Sequence, residues 1–574
     1  MNWDTAPASP RRATGAVRSA EGGPSWIGIG LLSAVLVLRL LYAWRVELMP
    51  EEAYYWNYAQ HLDYGYLDHP PMVAWLIAAG WALLRHGELA VRLGALCCGT
   101  IAGYFTYRLS RELFDQPSAW MALLLGQTLP FFFLSGVLMT PDAPLVAAWA
   151  GALYFLQRAL IAGRATAWYG AGLCLGLGLL SKYTIALLGV AALVFMLLDA
   201  RSRRWLKRFE PYAAAALALA LFSPVIVWNA HHEWASFAFQ TSRRLALSAQ
   251  FALPKLIGSA LLLLTPTGLA AVVWLLFRRS LPDVSGEVRD VSGEVRDGLR
   301  AWRFIQVTTL LPLAVFVLFS LRREVKLDWT GAPWVAALPA LGYGFAHAGA
   351  GAGLWIRRAW GPTLLMLVAF YGAALYDLTR GIPGVGYGRH AELVPIGWRQ
   401  LGAKVHALAH EIAERSGREP LIVGMDRYAI ASELAFYAPD RAESVSDTSS
   451  GNLFGQMGLM YERWFPPARQ SGRDMLLVAW NRADLSQPAL GDYAERLDPI
   501  GEGRLARDGE LIRPFYYRLA HGYRARQPPG SSTAPAPRNQ GLAALRSGES
   551  ARSGESDSAQ ACEPSTITCS RTSR

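Results

Sequence analysis

The sequence predicts a polytopic α-helical membrane protein with a small α/β domain after its last span. Three observations carry that reading. Only 17% of the 574 residues are charged while 52% are hydrophobic, where a soluble chain carries about 25% charged residues. Several apolar runs reach the roughly 20 residues that cross a hydrocarbon core. After about residue 377 the texture changes to short alternating helix and strand patterns. The formal charge of +11 invites a nucleic-acid partner, but the basic residues cluster in loops between apolar runs, as the positive-inside bias requires. Nucleic acid is therefore excluded. Cys97, Cys98 and Cys174 lie in apolar runs and Cys562 and Cys569 in a polar tail, so neither a disulfide framework nor a metal pattern follows.

Residues 1–25 read as a polar, disordered cytoplasmic tail. Trp26–Trp44 is the first span, too long for a signal-peptide core. With the N-terminus inside, the loop 45–90 falls on the outer face. There Ala53–Leu62 reads as a short interfacial helix rich in aromatics, and Pro70-Pro71 breaks the chain. Met72–Leu84 is short for a crossing and reads as a second interfacial helix. Further spans are expected at Val91–Leu109, Ser118–Leu138 and Ala143–Ile161. A short hairpin follows at about 167–180 and 184–198, then spans at 211–229, 256–277, 303–321, 332–348 and 359–376. The total is about eleven. DVSGEVR occurs twice in tandem, at 283–289 and 290–296, and reads as a duplication in a tolerant loop.

The segment 377–523 reads as an α/β domain on the outer face. Trp398–Ser416 has an amphipathic helical pattern, Pro420–Asp426 and Met475–Trp480 read as strands, and Ala429–Tyr437 returns to helix. It holds no GxGxxG, P-loop or HExxH motif. Residues 524–574 are rich in Ser, Pro, Gly and Arg and read as disordered.

Chemistry gathers in the first outer loop. Residues 50–71 hold four acidic groups and two histidines among aromatic rings. Carboxylates beside a membrane span are costly to desolvate, so they are there to act. Glu51 and Glu52 stand first among them. Neighbours on a helix point about 100° apart, so one faces a cavity while the other makes structural bonds. Tyr54, Tyr55 and Tyr66 are candidates to shape a sugar site. Asp68-His69 and Asp142 join the candidates, although both positions also suit helix caps. Lys182, Arg243 with Arg244, and Arg322, Arg323 with Lys326 sit on the face that positive-inside statistics disfavour. As a set they suggest a bound lipid phosphate, with interfacial snorkelling as the plainer account. In His231-His232-Glu233, adjacent residues rarely converge on one ion. No step calls for a metal; a divalent ion is compatible with the acidic groups but not indicated.

These residues fall into a known pattern. EEAYYWNYAQHLDYGYLDHPPMVAWL (51–76), LAVRLGAL (89–96), LMTPDAPLVAAWAGALYFL (138–156), GLCLGLGLLSKYT ending at Thr184, HEW (232–234) and KLDW (326–329) followed by Pro333 occur in order over about residues 26–440. The chain resembles the bacterial family 39 glycosyltransferases. It is similar to dolichyl-phosphate-mannose protein mannosyltransferases and to lipid A aminoarabinose transferases. The resemblance implies the GT-C architecture in a bacterial inner membrane. It also implies a polyprenyl-phosphate sugar as donor and a lipid, glycan or protein as acceptor. Glu51 would be the catalytic carboxylate, one methylene longer than the family's usual Asp. Lys182, Arg322, Arg323 and Lys326 would stabilise the leaving phosphate, while His232 and Arg243 would face substrate. Two rivals stand beside this reading. A transporter would show internal repeats and broken midplane helices, whereas these charges gather at one face. A catalytically inactive lipid or glycan binder would share every feature except turnover.

Overall fold

The computed structural model describes residues 25–526 apart from 244–249, 278–291, 348–353, 383–386, 388–394, 440 and 508. The expected N-terminal tail, the first DVSGEVR copy, Arg244 and the C-terminal tail beyond 526 lie outside the described residues.

The first helix, α1 (Trp26–Arg45), begins at Ser25, whose hydroxyl caps it by accepting from the Gly28 amide. It is followed by α2 (Pro50–Gln60), α3 (Met72–Leu84) and α4 (Glu88–Leu113). The helix α2 starts three residues before the expected Ala53. Pro50 at its first position lacks an N–H that would otherwise be orphaned, and the Glu52 carboxylate accepts from the Met49 amide at 3.1 Å. Both glutamates therefore lie in the first helical turn.

The expected span Ser118–Leu138 is not one helix. It divides into α5 (Gln116–Thr128) and α6 (Pro130–Ser135), because Pro130 cannot donate and Leu129 is extended. The last carbonyls of α5 find partners elsewhere. Arg39, buried in the middle of α1, donates to the Gln127 carbonyl at 3.0 Å and the Phe132 carbonyl at 2.7 Å. Tyr371 donates to the Thr128 carbonyl at 2.8 Å. An arginine within an apolar helix is costly, and here its guanidinium is held by the Gln127 side-chain oxygen and by carbonyls on both sides of the break, of which that of Gln127 belongs to the last turn of α5.

Then come α7 (Asp142–Leu160), buried along nearly its whole length, α8 (Ala167–Leu179), α9 (Ala186–Leu198) and α10 (Glu210–His231). The last membrane helices are α11 (Leu253–Leu276), α12 (Ser292–Ser320), α13 (Leu338–Ala346) and α14 (Leu354–Arg380). Among the described residues six helices are long and apolar enough to cross a membrane: Trp26–Arg45, Glu88–Leu113, Glu210–His231, Leu253–Leu276, Gly298–Ser320 and Arg358–Arg380. The other expected spans fall on shorter, broken or less apolar helices. This is a multi-pass α-helical membrane protein.

The small α/β region follows α15 (Trp398–Ser416). Its strands are β1 (Leu421–Gly424), β2 (Thr448–Ser450), β3 (Met475–Ala479), β4 (Arg496–Leu497), β5 (Gly501–Arg507) and β6 (Glu510–His521). They form one sheet in the order β2-β1-β3-β6-β4, with β5 also on β6. The first three are parallel, and β6 is antiparallel to β3, β4 and β5. Between β1 and β2 lies α16 (Ala429–Phe436), which packs on α2. There Phe436 meets Trp56 edge-on at 5.2 Å, a contact that contributes about 0.5–1.5 kcal/mol beyond its burial.

Candidate active site at the start of α2

Adjacent glutamates at the start of α2 have opposite surroundings. Glu52 is fully buried. Arg92 of α4 reaches it with Nε at 2.9 Å and Nη2 at 2.6 Å, and the Met139 amide donates to it at 2.9 Å. The same guanidinium binds the carbonyls of Val46 at 2.6 Å and Glu47 at 2.9 Å. Arg92 and Glu52 thus knot the end of α1, the start of α2, α4 and the loop before α7 together. Every oxygen of Glu52 is engaged, leaving no lone pair to take a proton. Glu51 is exposed, and among the described residues its side chain accepts one hydrogen bond, from the Tyr428 phenol at 3.4 Å. Of the pair, only Glu51 is available to a ligand.

Asp68 is buried at the end of the same loop. Its carboxylate accepts from Tyr58, and from Tyr54 at 3.2 Å. Its pKa is raised because burial outweighs those bonds and the attraction of Arg427. Gln240 donates to the Asp68 carbonyl at 2.6 Å. His69 stands with Nδ1 3.6 Å from Asp68 Oδ2 and its ring 5.6 Å from that of Tyr55. Tyr54, Tyr55 and Tyr66, read as rings shaping a sugar site, are all buried. The Tyr66 hydroxyl is spent on the loop, its single proton lying between the Tyr58 and His61 carbonyls while its oxygen accepts from the Asp63 amide.

Lys182 was expected at an outer hairpin tip, open to an anion. The structure instead clamps it between two carboxylates. Its Nζ is 2.9 Å from Asp142 Oδ1 and 2.8 Å from Asp328 Oδ2. Burial pushes this ammonium down, but the two carboxylates together outweigh it and raise its pKa. Asp142 moves up, chiefly through burial, whereas Lys182 outweighs burial at Asp328 and holds it low. If a proton enters the trio, Asp142 takes it. The trio is close to the glutamates: Asp142 follows Met139 by three residues, at most about 11 Å of chain. The Met72 amide, next to Pro70-Pro71, also donates to the Leu180 carbonyl at 3.0 Å, two residues before Lys182.

The remaining basic candidates lie less centrally. Arg322 and Lys326 are exposed in the loop that ends in Asp328, and Arg323 is half-buried there. Arg243 is the last described residue of a short π-helix, and its side chain lies outside the described residues. His232 stacks on Trp228 at 4.1 Å and pairs its Nδ1 with the Trp228 carbonyl at 2.7 Å. Trp228 in turn donates to Asp63 at 2.8 Å, so His232 acts through that ring on the first loop. No group of three His, Cys, Asp or Glu side chains that could hold a metal ion occurs among the described residues.

Residues 68–228 match the family described as dolichyl-phosphate-mannose-protein mannosyltransferase. Over 502 residues the chain is 26% identical to the lipopolysaccharide core galacturonosyltransferase RgtA of Rhizobium johnstonii, covering 84% of this chain and 92% of that protein. Over 223 residues it is 27% identical to the lipid A galacturonosyltransferase RgtD of the same organism, covering 35% of this chain and 44% of that protein. Its fold is similar to that of ArnT from Cupriavidus metallidurans bound to undecaprenyl phosphate. The TM-score is 0.54 at 14% identity, over 86% of this chain and 98% of ArnT. In sequence the chain is similar to these glycosyltransferases, and its fold is similar to that of ArnT.

Four residues that complete this candidate site escape a reading of the sequence. Arg92 and Asp328 lie inside the motifs LAVRLGAL and KLDW, yet their partners are 40 and 146 residues distant. Tyr428 and Arg427 come from the turn between β1 and α16, in a region that carries no motif. Only the packing of α16 on α2 brings that turn to Glu51.

Proposed function

We propose that this chain transfers a sugar, with inversion, from a polyprenyl-phosphate donor to a lipid, glycan or protein acceptor at the outer face of the bacterial cytoplasmic membrane. The observation that carries the reading is the division of labour between Glu51 and Glu52. One carboxylate is locked by Arg92, and the other stands exposed at the same helix start, where a general base must be free to approach a hydroxyl or amine. Glu51 accepts the acceptor's proton as it attacks the anomeric carbon, and the bond to the polyprenyl phosphate breaks. Negative charge grows on that phosphate, and Arg322, Arg323, Lys326 and Arg243 supply the compensating field, joined by Lys182 when Asp142 is protonated and no longer offsets it. The names of the two Rhizobium relatives favour a hexuronic acid as the sugar and a lipopolysaccharide core or lipid A acceptor. No metal enters these steps.

The test is turnover by the purified full chain in nanodiscs with a polyprenyl-phosphate sugar, the product's anomeric configuration being read by NMR. Glu51→Gln should abolish transfer while retaining donor binding, and Glu51→Asp should keep activity. Donor binding with no turnover in the native chain would instead establish the inactive binder.

A further inference from the structure

Resting on the transfer reading above, we propose that Arg427 receives a carboxylate on the donor sugar, so that the site takes a uronosyl donor in preference to a neutral hexosyl one. Arg427 sits in the turn between β1 and α16, and the turn is firmly held. Asp426 accepts from the Ile430 amide at 3.1 and 3.2 Å, capping α16, while its carbonyl accepts from the Gly451 amide at 3.0 Å. On the other side, Tyr428 donates to Glu51 and lies 4.7 Å, ring to ring, from Tyr54, which itself donates to Asp68. The turn therefore presents Arg427 beside the exposed glutamate and the buried aspartate.

The state of the guanidinium differs from that of Arg92 and Lys182, the cations bonded to the site's buried carboxylates. Arg92 is saturated by Glu52 and backbone carbonyls, and Lys182 is held by two aspartates. Arg427 is exposed, and among the described residues it makes no ion pair; its hydrogen bond runs from Nη2 to the Met457 sulfur at 3.1 Å, a weak acceptor. Its charge still reaches Asp68 and Tyr428. A neutral sugar offers such a group only hydroxyl oxygens, with no charge to match its own. A sugar carboxylate entering beside Glu51 meets like charge, and a guanidinium fork offers that carboxylate two parallel N–H donors. The donor's phosphate is the other anion that this fork fits. That phosphate is identical on any pair of donors, so a pair differing only at C6 separates the two sources.

The experiment gives the full-length chain in nanodiscs the same polyprenyl phosphate carrying either galacturonic acid or galactose. The native chain should favour the galacturonosyl donor by at least about tenfold in kcat/KM. Arg427→Ala should lower that value about tenfold to a hundredfold, the range for a charged hydrogen-bonding group, and leave the galactosyl donor within about twofold. Arg427→Lys keeps the charge without the fork and should fall between; it carries the comparison if the alanine variant unfolds. An equal fall on both donors assigns Arg427 to the phosphate or to the scaffold and overturns the proposal, as does no fall at all. If the native chain uses galactose as well as galacturonic acid, the carboxylate reading fails and the transferase reading stands. Transfer from neither donor overturns both.

Discussion

The two ends of the helical body treat charge differently. The helix α4 is 26 residues long, about 39 Å, and separates them. Toward its C-terminal end, ion pairs tie the helices to one another among exposed basic residues such as Arg111, Arg164 and Lys207. Glu112 meets Arg108 at 3.3 Å and Arg158 at 3.6 Å, and Arg300 joins Asp199 at 2.9 Å while donating to the Leu160 carbonyl at 2.8 Å. At the end that carries Glu51, carboxylates gather around the α2 start with the exposed cations Arg322 and Lys326 nearby. Glu51, Asp68, Asp142 and Asp328 face Lys182 and Arg427, and both Glu51 and Arg427 are exposed without an ion-pair partner among the described residues. Matched charges hold a scaffold together. Charges left unmatched cost stability that a bound ligand can return, which is how a site differs from a clamp.

The largest expected effect tests that contrast within two adjacent residues. Glu51→Gln removes a base from a side chain with few bonds, so kcat should fall about 10²–10⁴-fold with the unfolding midpoint unchanged. Glu52→Gln leaves Arg92 buried against a neutral partner, and breaking such a pair costs about 3–5 kcal/mol. It should therefore show first as a lowered thermal midpoint in detergent. An inactive but fully stable Glu52→Gln, beside a normal Glu51→Gln, would exchange their roles.

Much of this architecture is legible in the sequence, for identifiable reasons. Met72–Leu84 and Trp398–Ser416 are helices over the expected residues, since one is unbroken and apolar and the other strongly periodic. The hairpin of α8 and α9 follows from flanking positive charge. The break in α5–α6 is less visible, because Pro130 sits in a run apolar enough to pass for a continuous span, and what makes the break tolerable is Arg39, 91 residues earlier. The strands β5 and β6 were not expected at all. Much of their surface is exposed or half-buried, so they lack a clear alternation of apolar residues. At the site, Glu51 and Glu52 stand out by composition. The partners that distinguish them, Arg92 and Tyr428, are set by packing across distant parts of the chain.

The next effect in size concerns Lys182. With both aspartates ionised, the Lys182–Asp142–Asp328 trio carries a net negative charge and repels a phosphate. Protonation of Asp142, whose pKa is raised by burial, makes the trio neutral. Donor KM should therefore rise with pH as Asp142 loses its proton, and Asp142→Asn should flatten that slope while leaving the acceptor KM alone. Lys182→Ala leaves two buried carboxylates facing each other and should weaken donor use about tenfold to a hundredfold. Steady-state kinetics with donor and acceptor varied separately distinguishes these outcomes. A loss confined to acceptor parameters would place the phosphate elsewhere, beside Arg243.

The smallest expected effect lies at the opposite end, in an ion pair that no proposed ligand touches. Asp115 caps α5 through the Ser118 amide at 2.8 Å and meets His347 Nε2 at 2.9 Å. Burial pushes the Asp115 carboxyl up, but the bonds from His347 and Ser118 outweigh it and bring the pKa down to about 2. The bond to Asp115 raises His347, burial opposing it only in part. The contribution of Asp115 is thus present above its unfolded pKa of about 3.9 and is lost as pH falls toward about 2. That of His347 is complete below about 6.5 and is lost as pH rises through its raised folded pKa. Both side chains are partly solvent-exposed, at 38% and 25%, so screening keeps the pair below about 1 kcal/mol. The thermal midpoint of the native chain should therefore decline slightly from about pH 6 to about pH 9. His347→Gln should remove that decline without changing kcat. A His347→Gln variant that lost activity while keeping its midpoint would show that this end, too, takes part in the reaction.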